Sequence, residues 1–197
     1  MMRLPKAPKP IRAQIKRYER TLAQEHKTFG AIRDGAGHRY WLGPLYLVLD
    51  DLPGALQSFA WFAQTFPDDR GEPLQYLCWS LALYRNGQLE AAVQKLRQTM
   101  LMNLYLLPHL LGLHQAPLAI WHGSNWAEAS YLQWVPPEFF ALWDEAALRW
   151  AQERYVSLAF TQVRTRYIEL CHQLQTEPPG PMRQQLVNEV FVLQAKA

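Results

Sequence analysis

Residues 52–62 read LPGALQSFAWF and residues 89–99 read LEAAVQKLRQT; superposed, they set Ala55 on Ala92, Phe59 on Leu96 and Phe62 on Thr99. In both, a small residue is followed four positions later by a large apolar one, a spacing that keeps the two on one face of an α-helix. The small residue lets a neighbouring helix approach, and the large one fills the space beyond it. The offset between the stretches is 37 residues, which raises the question of a repeated helical hairpin.

Helix start and stop signals around both stretches support that reading. VLDDLPGA (48–55) offers Asp51 as an N-cap with Pro53 in the first turn, FPDDRGEP (66–73) closes the following segment, and YRNGQLEA (84–91) carries Asn86 and Gly87 at a sharp turn. The spacing predicts helices over about 38–50, 52–65, 73–86 and 88–102, which pair into two antiparallel hairpins.

The pattern over about 36–102 resembles the tetratricopeptide-repeat family, whose period is about 34 residues. Leu42, Gly43 and Tyr46, then Ala55, Phe59 and Pro67, stand where the first repeat has its large, small and aromatic positions and its exit proline. The second unit matches through Ser80, Leu83, Ala92 and Leu96, with Leu104 where proline would stand. The resemblance implies a right-handed α-α solenoid whose first helices line a concave groove. Here that groove would present Tyr40, Pro44, Leu47 and Val48 from the first unit and Leu77, Leu81, Tyr84 and Arg85 from the second. Such a groove is mostly apolar and suits a peptide or helix of a partner protein; the chain's own C-terminal helices are the alternative filling.

Two hairpins leave both end faces of the stack uncovered, so capping helices are expected. Upstream, Pro10 opens a segment in which Ile11, Ile15, Tyr18 and Leu22 recur at helical spacing, and FGAIRDGAGHRY (29–40) reads as a linker. Downstream, NLYLLPHLLG (103–112) predicts a short kinked helix, SNWAEASYLQWV (124–135) a helix ending before two prolines, and Glu138 to about Tyr155 a long helix. Further helices are expected from about Val156 to Leu174 and from Met182 to Leu193, separated by the breaker TEPPGP (176–181). The whole is one all-α domain over 1–197: a basic helix and linker (1–35), two repeat-like hairpins (36–102) and a C-terminal helical region (103–197).

The charge is unevenly placed. Of the 20 lysines and arginines, seven lie in residues 1–20 against one acid, while the remainder carries 13 basic and 16 acidic residues. Arg12, Lys16, Arg17 and Arg20 are therefore the candidate contacts for a polyanion, and a nucleic-acid-associated helical protein is the alternative function. With 49% hydrophobic residues and 25 aromatic ones in 197, the chain is too apolar for disorder. No segment reads as a membrane span or secretory leader, and Cys78 and Cys171 stand alone, so a cytoplasmic protein without membrane insertion is expected.

Candidate chemistry is sparse. His109, His114 and His122 are spaced by five and eight residues, which does not suit the paired histidines of a zinc-binding helix. Ser124 follows His122 by two positions but lies in no nucleophile motif, and Cys78 stands at an apolar helix position. IWHGSNWAE (120–128) is the most compact polar cluster; Asn125 and Glu128 have capping-box spacing, with Trp121 and Trp126 as corner residues packed on the core. No catalytic residue, metal or cofactor is assigned, and the expected function is a non-enzymatic interaction or adaptor module. An enzyme or metal protein using the His109, His114 and His122 region is the further alternative.

Overall fold

Local caps place the helices close to where the spacing puts them. α1 (Pro8–Phe29) begins on prolines and ends at Gly30, whose φ of 69° lets its amide return to the His26 carbonyl. α2 (His38–Val48) is capped from a distance: the Asp34 carboxylate accepts from the His38 and Arg39 amides at 2.8 Å each. α3 (Leu52–Thr65) starts at Asp51, which accepts from the Gly54 amide. α4 (Pro73–Arg85) carries a reciprocal capping box between Glu72 and Gln75. α5 (Leu89–Met102) follows the turn at Gly87, and α6 (Leu106–Leu110) is a single kinked turn and a half around Pro108.

The computed structural model describes residues 4–5 and 7–196; Arg3 and Lys6 of the basic arm lie outside them. The described residues are all-helical, with no strand among them. α2 packs on α3 and α4 on α5, and the two pairs meet through α2 against α4 and α3 against α4. α1 covers one end, on α2, while α8 (Leu158–Thr176) and α9 (Pro181–Lys196) pack on each other and on α5 at the other. One apolar core runs through all of these helices and includes Ile15, Phe59, Leu81, Leu96, Phe160 and Val190.

The small positions of the repeated pattern do the expected work. A Cβ on Gly43 would overlap the Phe59 ring, so only glycine lets α3 press this aromatic against α2. Phe59 is enclosed there and stacked on Trp79, at 5.2 Å between centroids; full burial of such a side chain contributes roughly 1.5–3 kcal/mol. Ser80 donates from Oγ to the Ala92 carbonyl at 2.8 Å, tying α4 to α5 where both residues are small.

The C-terminal region departs from expectation in three places. Residues 124–135 form not one helix but two 3₁₀ segments, Asn125–Ala127 and Ala129–Trp134. The long helix expected from Glu138 is a 3₁₀ turn, Pro137–Leu142, followed by a break and then α7 (Glu145–Tyr155). The break has a local cause: Trp143 and Asp144 are extended, Asp144 caps α7 by accepting from the Ala147 amide, and the Trp143 ring is buried in the core. The capping box at Asn125 and Glu128 is also absent; the Glu128 carboxylate accepts instead from the Ser130 hydroxyl.

Candidate binding cavity

The groove candidates on α2 and α4 are met by the chain's own later residues. Phe139 lies beside Trp41, Trp150 packs on Tyr84 at 4.7 Å between centroids, and Arg85 donates from Nη2 to the Leu142 carbonyl at 2.6 Å. Leu47, Leu77 and Leu81 are buried in the core with Pro44, and Val48 is half-buried against it. Of the two fillings expected for this apolar surface, the chain's own later residues supply one: the 3₁₀ turn 137–142 and α7 bring Phe139 and Trp150 against Trp41 and Tyr84. Of the eight groove candidates, Tyr40 borders a cavity.

That cavity, of about 800 Å³, lies between the start of α2 and residues 125–135. Its floor is a hydrogen-bonded network that closes over 35 residues of sequence. The Arg39 guanidinium reaches Asp69 through Nε at 2.7 Å and Asp34 through Nη1 at 3.0 Å, and donates from Nη2 to the Tyr40 hydroxyl. Tyr40 in turn donates to Asp69 at 2.9 Å, and Asp69 accepts from the Gly71 amide. Burial, and after it the bond to Asp69, pushes the Tyr40 hydroxyl well above its ordinary range, so it remains a donor at neutral pH. Asp34 is only 4% exposed and holds a positive φ of 42°, which Glu25 supports by accepting from the Arg33 and Asp34 amides.

One wall comes from the start of α4. Burial pushes the Glu72 carboxyl up to about 7, against the opposing pull of the Gln75 amide that it caps. Beside it the Leu74 amide donates to the Tyr131 hydroxyl at 3.1 Å, fixing that ring. The other wall is the segment quoted above as IWHGSNWAE and its continuation. Asn103, 1% exposed, donates from Nδ2 to the carbonyls of Trp126 and Glu128, at 2.6 and 3.1 Å, and accepts the Tyr105 amide on Oδ1. This clamp holds the turn so that Trp126 faces the cavity instead of the core, 41% exposed, with Trp134, 61% exposed, on the same rim. Trp121, by contrast, packs against the core as the corner reading expects.

The other candidates are dispersed. His109 lies edge-on to Phe140 at 4.9 Å, His122 is 6.4 Å from Tyr105, and His114 is exposed. Among the described residues no group of three or more His, Cys, Asp or Glu could hold a metal ion, and the cavity lining includes neither histidine nor cysteine. Both cysteines are free and buried. Arg12, Lys16, Arg17 and Arg20 are exposed on α1, which docks through Ile11, Ile15, Tyr18 and Leu22 on its opposite side. No helix among the described residues is long and apolar enough to cross a membrane.

Sequence reasoning named Trp126 as a corner residue packed on the core and Tyr40 as a groove residue, and did not single out Trp134 or the rest of the network. Asp34, Asp69 and Asn103 each stand at a place where a turn residue is ordinary, and nothing local marks them as partners. The available signal was the aromatic recurrence Trp126, Tyr131, Trp134 beside the polar cluster and before two prolines.

No family model, curated protein or solved structure matches this chain.

Proposed function

We propose that the protein is a non-enzymatic interaction module, built as a tetratricopeptide-like stack of hairpins with capping helices, that docks a peptide segment of a partner in the cavity beside Trp126 and Trp134. The observation that carries this reading is the pair of exposed tryptophans on the rim of one cavity. Tryptophan left in water forgoes the burial that favours it, and clustered exposed aromatics mark docking surfaces. The pairing of α2 with α3 and α4 with α5, capped by α1 and by α8 with α9, supports the repeat-like architecture. Two free, buried thiols support a cytoplasmic setting.

Capture from native cytosol by the intact chain, compared with a Trp126→Ala, Trp134→Ala double variant, tests the site. The expected outcome is a set of proteins held by the parent and lost by the variant at unchanged melting temperature. Equal recovery of the same proteins by both defeats the assignment.

A second reading rests on a separate observation. Arg12, Lys16 and Arg20 recur every four residues on the exposed side of α1 and form no salt bridge with any described residue. That stripe suits the phosphates of a nucleic acid. Binding of a duplex would weaken steeply with salt and be lost on replacing all three by glutamine; a salt-insensitive affinity argues against it.

A further inference from the structure

We infer that the cavity beside Trp126 and Trp134 receives a cationic side chain, lysine or arginine, presented by the docked peptide. The inference rests on the docking reading above and adds the chemistry of the occupant.

Charge is the first ground. Asp34, Glu72 and Glu128 line the cavity, with Arg39 as the one lining cation among the described residues; Glu72, raised to about 7, carries about half a charge at neutral pH, and Asp34 and Glu128 supply the rest. The Arg39 guanidinium is already committed, to Asp34, Asp69 and the Tyr40 hydroxyl, and its face lies over the Tyr40 ring at 4.3 Å. Asp69 stands directly behind it. The field in the cavity is therefore negative, and partial enclosure by protein strengthens such a field.

The aromatic surface is the second ground. Trp126 and Trp134 stand exposed on the rim, while Trp41 and Tyr131 line the interior. The face of an aromatic ring is electron-rich, and indole offers the strongest attraction to an ammonium or guanidinium among the side chains. The fold uses this interaction elsewhere: the Lys95 ammonium lies 4.1 Å from the Trp79 centroid and 4.4 Å from that of Tyr76, and the Arg70 guanidinium lies 3.6 Å from that of Phe191.

The commitment of the strongest donors disfavours an anionic ligand. The first turn of α2 opens toward the cavity and is the natural place for a phosphate or carboxylate. Its His38 and Arg39 amides are already taken by the Asp34 carboxylate, which is buried there permanently. An anion would meet a filled cap, a committed arginine, the carboxylates of Asp34 and Glu128, and a half-ionised Glu72.

The test uses the full chain labelled with ¹⁵N at its indole nitrogens, with Trp126 and Trp134 assigned from single phenylalanine variants. Four blocked peptides, Gly-Ser-X-Ser-Gly with X as lysine, arginine, norleucine or glutamate, are titrated to millimolar concentration. The lysine and arginine peptides are expected to shift both indole resonances and to bind about tenfold more tightly than norleucine, within the range an aromatic–cation contact supplies. Glu128→Gln, an exposed change outside the core, is expected to weaken the lysine peptide severalfold and leave norleucine unaffected. Norleucine binding as tightly as lysine overturns the cationic occupant while leaving the docking reading intact. Preference for the glutamate peptide overturns the charge argument as well. If no peptide moves either indole, the cavity is not a docking site and both readings fall.

Discussion

Replacing Asn103 by alanine should destabilise the protein by about 2–6 kcal/mol, a figure assembled from the three bonds the side chain makes. The Tyr105 amide lies in the buried core; without Oδ1 it stays dry and unpaired, at a cost of about 1–3 kcal/mol. The carbonyls of Trp126 and Glu128 belong to exposed residues and regain water, so each loses only the net worth of its bond, about 0.5–1.5 kcal/mol. For a chain of 197 residues that sum lowers the melting temperature by roughly 4–24 °C. Urea unfolding followed by tryptophan fluorescence and by circular dichroism gives the number, read as a fall in midpoint at constant slope. Asn103→Asp supplies the control. It keeps the acceptor for Tyr105 but sets a carboxylate against two carbonyl oxygens, so it should cost at least as much at neutral pH and recover part of the loss on acidification, when the acid regains a donor. A loss below about 1 kcal/mol for the alanine variant, with the slope unchanged, refutes the clamp, because the turn would then be holding itself.

Two further outcomes follow from the packing and from Glu72. Gly43→Ala forces a methyl group into the space of the Phe59 ring and should cost about 1–3 kcal/mol by calorimetry, with Phe59→Leu in the same chain restoring part of it; no loss for Gly43→Ala alone contradicts the close approach of α2 and α3. The Glu72 carboxyl is raised from 4.5 to about 7, so the folded chain holds this proton more tightly than the unfolded one. Its contribution to stability is complete below the unfolded value and is lost as pH rises through about 7, up to about 3 kcal/mol. Urea midpoints of Glu72→Gln, compared with the parent between about pH 4.5 and pH 8, should show a flatter dependence, and identical slopes count against the raised value.

The hairpin region was legible in the sequence because its information is local. Asp51, Pro53, Gly87 and the proline at the start of α4 act within a turn of where they stand, and the four-residue spacing of Ala55 with Phe59 or Ala92 with Leu96 fixes the inward face without reference to the rest of the chain. The stretch after Met102 was less legible. Its 3₁₀ segments keep a helix-like apolar rhythm, but prolines at 136 and 137 and the cap at Asp144 divide it, and an acid at 144 reads from sequence as any surface residue of a long helix.

The candidate site was legible only in its parts. Tyr40 was named for the wrong face, Trp126 was expected to pack inward, and Glu72, Asp69 and Asn103 were ordinary turn residues. What brings them together is pairing across long separations: Arg39 with Asp69, Leu74 with Tyr131, Asn103 with Trp126.

By itself the sequence determined an all-helical chain, the spans of the first five helices, the small and large positions at which hairpins pack, and a basic first helix with one apolar stripe. Caps, turns and periodicity act over a few residues, and a single sequence carries them completely. Only the tertiary structure decided that Tyr84 and Arg85 are met by residues 142–150 and that the exposed tryptophans border a cavity lined by Asp34, Arg39, Glu72 and Glu128. Those outcomes depend on which of several apolar surfaces cover one another, a competition settled by shape and by the satisfaction of buried polar groups across the whole chain.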